Sequence, residues 1–161
     1  MATGCERADD AMASRTTVVD VVTEIDIARP VAVVAAYAAD PDNAPEWYRN
    51  IRSVRWRTVP PAQIGSVVTF TARFLARTLE YDYEFVEFKP GTRLVMRTAQ
   101  GPFPMETTYT WDESAGGARM TLRNRGKPAG FSRLLVPLIA AAVRRANRKD
   151  LVALRARLES R

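Results

Sequence analysis

Four side chains in this sequence have the chemistry for proton transfer or carbonyl polarisation and sit in strand-like surroundings: Tyr83, Arg97, Glu106 and Tyr109. A glutamate acting as a base near neutral pH needs burial to lift its pKa to about 6–7. Strand alternation argues against that for Glu106, since Met105 and Thr107 take one face and leave Glu106 on the other, in solvent. Arg97 turns outward from Met96 by the same rule. The hydroxyls of Tyr83 and Tyr109 remain, able to polarise a carbonyl of a confined substrate. The chain has no histidine, which excludes a Ser-His-Asp triad, a Cys-His pair and any His-based zinc or iron site. Its one cysteine, Cys5, can form no internal disulfide and reads as an incidental thiol. No catalytic residue, metal ligand or cofactor site is assigned.

A second pattern is one of size and shape. Phe70, Phe74, Tyr81, Tyr83, Met96, Met105, Tyr109 and Trp111 all fall on the strand face that alternation turns inward. A sealed core would favour Leu, Ile and Val, whereas tyrosine hydroxyls and flexible methionines suit the lining of a pocket for an apolar ligand. The competing reading is a solid core with the tyrosines reaching its edge. Trp47 sits where two short helices meet the sheet and is placed at the rim of such a pocket, beside Tyr48 and Trp56.

Positioning these residues needs a particular set of elements. Val19, Val21, Thr23, Ile25 and Ile27 alternate with charged residues and predict a half-buried first strand. Pro30 opens a helix with Val31, Val34, Ala35 and Ala38 on one face. Asp40-Pro41-Asp42 ends that helix and starts a short one carrying Trp47 and Tyr48. Six strands follow, joined by short turns, which implies an antiparallel meander because parallel pairing would need crossover helices. In the first of these, Ile51, Ser53, Arg55 and Arg57 are expected on one face, with Arg52, Val54 and Trp56 on the other. The period then changes. Leu135, Leu138, Ala142, Ala146, Leu151, Leu154 and Leu158 predict one face of a long helix from about residue 136, with Pro137 tolerated in its first turn. One sheet with one apolar face and one long helix implies a helix lying across a concave sheet.

Charge is unevenly placed. Residues 129–161 hold eight Lys and Arg against two carboxylates, while residues 1–128 balance at sixteen each, so the net +6 belongs to the C-terminal element. Arg144, Arg145, Arg148, Lys149, Arg155 and Arg157 fall beside the apolar positions and should point outward. Such a face is either solvated or a contact for an anionic surface. Nucleic acid is disfavoured, because no aromatic residue follows Phe131 to interleave with the cations. Residues 1–15 read as a disordered tail and residues 16–161 as one domain. The longest apolar run spans ten residues, half of what a membrane span needs, and no signal peptide is evident. The default compartment is the cytoplasm.

The order of elements, with Ile27-Ala28-Arg29-Pro30 closing the first strand, resembles the START-like or SRPBCC superfamily. Asp40-Pro41-Asp42-Asn43-Ala44-Pro45-Glu46-Trp47, Gly101-Pro102-Phe103 and the final helix are similar to its polyketide cyclase/dehydrase-type branch over roughly residues 18–159. The resemblance implies an α+β helix-grip fold, with a curved antiparallel sheet of six to seven strands around a long C-terminal helix and two short helices after the first strand. It also implies a cavity for lipids, polyketides or other apolar molecules, without a universal catalytic residue. Metal-bearing relatives add a separate domain and histidine ligands that this sequence lacks. The expected function is therefore binding of a small apolar ligand by Trp47, Phe70, Phe74, Tyr81, Tyr83, Met96, Met105, Tyr109 and Trp111. The alternatives are a cyclase/aromatase-type enzyme, and an interaction protein using its basic helix on an anionic membrane or nucleic acid.

Overall fold

The first strand, β1 (Val19–Ile27), follows its own pattern, with Val19, Val21, Thr23 and Ile27 buried and Asp20, Val22, Glu24 and Asp26 in solvent. In the computed structural model the described residues are 18–74, 77–100, 104–128 and 135–160. The expected tail, the Phe103 strand start and the Phe74 side chain lie outside them. Pro30, held at φ −55°, leads into α1 (Val31–Ala39). Asp40 then accepts a hydrogen bond from the Asp42 amide at 3.0 Å and starts a 3-10 turn, Pro41–Asn43. That turn runs into α2 (Ala44–Trp47), which ends at Tyr48.

The remaining strands are β2 (Ile51–Trp56), β3 (Val67–Phe74), β4 (Arg77–Lys89), β5 (Arg93–Thr98), β6 (Met105–Ser114) and β7 (Gly117–Gly126). With β1 they form one antiparallel sheet in the order β1-β7-β6-β5-β4-β3-β2. Apart from β1, every strand pairs with its sequence neighbours, as short turns require; β1 closes on β7 from Val19↔Gly126 to Ile27↔Ala118. Arg123 to Asp20 and Arg119 to Asp26 each form two-pronged ion pairs on the outer face of that seam. The last helix, α3 (Val136–Glu159), runs beside β1. Its C-terminal end is tied down by Arg29 Nε donating to the Leu158 carbonyl at 2.8 Å and by the Ala28 amide donating to Glu159 Oε1 at 2.9 Å. This is a helix-grip α+β fold.

Two expectations about faces are corrected. A bulge between Ile51 and Ser53 shifts the register of β2 against β3. One extra residue reverses the alternation, so Ile51, Val54 and Trp56 pack on the core while Ser53 and Arg55 are exposed. On α3, Leu135, Leu138, Ala142 and Ala146 are exposed, not buried. The inward line is Val136, Ala140, Val143, Asn147, Asp150, Leu151, Leu154 and Leu158. Two of its positions are polar, so counting apolar residues selects a line on the far side of the first half of the helix.

Candidate functional site

The polar positions of α3 are where the interior acquires chemistry. Asn147 and Asp150 are 6% and 5% exposed, on the helix face turned to the sheet. Asn147 Nδ2 donates to Asn124 Oδ1 of β7 at 2.8 Å, and Asn124 Nδ2 donates to Thr107 Oγ1 of β6 at 3.0 Å. A hydrogen-bonded line thus crosses from the helix over β7 and β6. Nearby, burial pushes the Tyr83 hydroxyl of β4 up, with Thr107 opposing that rise. Asn124 Nδ2 also approaches Met105 Sδ at 3.6 Å.

Asp150 lies one turn further along. Its Oδ1 accepts from the Arg49 amide at 3.1 Å. Burial pushes the carboxyl up from 3.8 to about 6, even though that amide and the charges of Arg49 and Lys149 pull the other way. Nearby, the hydroxyls of Tyr48 and Tyr109 share a hydrogen bond at 2.6 Å. Burial drives both tyrosines far above their usual range, and the proximity of Asp150 pushes them further. Tyr81 is raised to about 12 by burial and by Tyr83 beside it. All four inner-face tyrosines are therefore neutral hydroxyls at physiological pH, available as donors or acceptors.

The aromatic residues form two groups. Trp47 stacks on Tyr48 with centroids 4.0 Å apart and meets Tyr109 at 6.1 Å, while Tyr109 meets Trp111 at 5.9 Å. Phe70, Tyr83 and Tyr81 form the other, edge to face, at 5.7 and 5.8 Å. Met96 lies opposite Phe85 in the β4–β5 ladder and shares with Trp47, Phe70 and Tyr109 the lining of a void of about 10 Å³, room for about one water molecule. The indole nitrogens of Trp47 and Trp111 are buried without a hydrogen-bond partner. Trp47, Phe70, Tyr83, Met96, Tyr109 and Trp111 are thus closely packed, whereas Tyr81 and Met105 are only half-buried. Packing loosens from the Trp47–Trp111 end towards Tyr81, Met105 and Asn124, which are only half-buried, as are Ile139, Ala140 and Val143 of α3.

Sequence reasoning missed Tyr48, Thr107, Asn124, Asn147 and Asp150 as site residues. The available signal was Asp150, the sole carboxylate between Val136 and Leu158 in a run of cations, yet it entered the sequence reading only through the charge balance. Glu106 lies on the outer face, bonded by Arg97 at 2.8 Å, and takes no part. Among the described residues no cluster of His, Cys, Asp and Glu could hold a metal ion, and no helix is long and apolar enough to cross a membrane.

Residues 18–159 match the family model described as polyketide cyclase / dehydrase and lipid transport. The chain belongs to this family. No curated protein matches its sequence. Among solved structures it is similar to the di-domain ARO/CYC StfQ from the steffimycin biosynthetic pathway, with a TM-score of 0.74 and 15% identity over 88% of this chain. The match takes in 51% of StfQ, so the chain spans about half the length of that di-domain protein. TTHA0849 from Thermus thermophilus aligns at TM-score 0.73 and 19% identity, covering 88% of this chain and 97% of that one. The Zhui aromatase/cyclase from Streptomyces sp. R1128 aligns at 0.73 and 14%, covering 88% and 94%. At these identities the likeness is one of fold.

Proposed function

We propose that this family member binds one small apolar molecule carrying a few oxygen functions, between the sheet and the first half of α3. The observation that carries this reading is the hydrogen-bonded line Asn147–Asn124–Thr107 beside Tyr83, lying at the looser end of an otherwise apolar interior. Polar groups inside a core cost stability unless each finds a partner, and an all-apolar interface would hold α3 at least as well. Here they sit beside Tyr81 and Met105, where the sheet is half-covered, and so offer oriented donors and acceptors next to apolar surface. That is the composition of a ligand site. The small void beside Trp47 is no room for such a molecule, so binding requires the interior to open at its half-covered end, beside Tyr81 and Met105. The family description, with its cyclases and lipid transport, supports an apolar ligand of the lipid or polyketide class. A cytoplasmic location fits this reading.

One observation favours a second reading, a cyclase/dehydrase-like reaction on the bound molecule. Asp150, with its pKa lifted to about 6, sits near the Tyr48–Tyr109 hydroxyl pair. A carboxyl poised near neutrality can exchange protons with a substrate, and the neutral hydroxyls can stabilise a developing enolate. Native mass spectrometry of protein purified from its own cells tests the first reading, which predicts a co-purified apolar molecule at one per chain. Consistently ligand-free protein, together with no uptake from a lipid and polyketide panel, would refute it. For the second, Asp150→Asn should leave binding of that molecule intact and abolish any conversion of it.

A further inference from the structure

We infer that the outward face of α3 docks on an anionic lipid bilayer, independently of what the interior binds. At 100° per residue, Leu138, Ala142, Arg145, Lys149 and Val152 fall along one line of the helix, opposite the buried line through Asn147 and Leu154. Leu138 is 69% exposed and Leu135, the cap residue just before the helix, 44%. The helix therefore presents an apolar end followed by cations, all of them in solvent. Apolar side chains that enter the acyl boundary beside cations that meet headgroups are what an interfacial helix offers.

A merely solvated face would look different. Solvated helices alternate signs, placing Glu or Asp four residues from Lys or Arg. Here Arg144 and Arg148, and Arg145 and Lys149, are like-charged pairs at that spacing, and like charges there weaken the helix. The one carboxylate within the run, Asp150, is turned inward. Arg157 pairs with Glu46 at 2.7 Å, but the outward line through Arg145 and Lys149 carries no acidic side chain of its own, and a bilayer with phosphate-rich anionic headgroups is the surface that complements this face.

The test is co-sedimentation of the full chain with vesicles of phosphatidylglycerol mixed with phosphatidylcholine, at low salt. Binding is expected to the mixed vesicles and not to pure phosphatidylcholine, and to fall steeply as salt is added. Reversing Arg145, Arg148 and Lys149 to Glu should weaken it by at least about a hundredfold, since each cation near such a surface contributes about fivefold. Leu138→Gln should weaken it about tenfold without changing charge. Both variants alter exposed side chains and should unfold in urea no earlier than wild type. The wild-type salt series serves as a check that needs no variant. Failure of the wild type to bind at low salt would overturn the inference, as would binding indifferent to the charge reversal. A dimer dissociated by Leu138→Gln would also overturn it, assigning the stripe to a second copy of the chain.

Discussion

Asp150 is the residue on which stability and chemistry pull in opposite directions. Unfolded, its carboxyl titrates near 3.8; folded, burial moves it to about 6. Between those values the folded chain keeps a proton that the unfolded chain has released. The contribution of Asp150 to stability is therefore most favourable below pH 3.8 and declines as pH rises through 6, by about 3 kcal/mol in all. Asp150→Asn keeps an acceptor for the Arg49 amide and removes the penalty. The variant should unfold at higher denaturant than wild type at about pH 8 and match it at about pH 4, as urea titrations at the two values would show. Equal stability at both would mean that the carboxyl is solvated. Tyr109→Phe is the complementary case. It leaves the Tyr48 hydroxyl without its 2.6 Å partner and should cost about 1–3 kcal/mol.

Elements decide how much of this could be read in advance. Strict alternation made β1, β3 and β6 legible, because a period of two leaves no ambiguity about faces. It also correctly sent Glu106 and Arg97 to the outside. In β2 the bulge after Ile51 has no sequence signature in that stretch, so alternation puts Ile51 with Ser53 and Arg55, when it packs with Val54 and Trp56. For α3 the failure is more instructive. The inward line is interrupted by Asn147 and Asp150, the residues of most functional interest, and a reading that rewards apolar residues moves away from such positions. Two predictions belong at this scale. Leu154→Ala, at a position fully buried against the core, should cost about 2–5 kcal/mol in urea unfolding. Gly117 stands at φ 147°, and a Cβ there would strike the Ile27 carbonyl and lie 2.7 Å from the Arg29 amide nitrogen. Gly117→Ala must therefore part β7 from the end of β1 and should cost at least about 2 kcal/mol. A neutral result for either would contradict the packing described.

For the molecule as a whole, the fold reads as a gradient. One end is closed by Trp47, Phe85, Leu94 and Trp111, each at 2% exposure or less, and anchored to the C-terminal end of α3 through Arg29 and Glu159. The other end carries the half-covered Tyr81 and Met105 and the more loosely seated first turns of α3. Stability is thereby concentrated away from the end at which the proposed ligand would enter. The most direct test is titration of the protein with an uncharged, environment-sensitive apolar dye, for wild type and for Met105→Trp and Asn147→Leu. The account predicts saturable binding of one dye per chain by the folded wild type. Met105→Trp should lose it because the added bulk occupies the loose end, and Asn147→Leu should weaken it, with both variants still folding cooperatively. Absence of saturable wild-type binding across dyes of different length, or binding unaffected by both substitutions, would contradict an interior site between the sheet and α3.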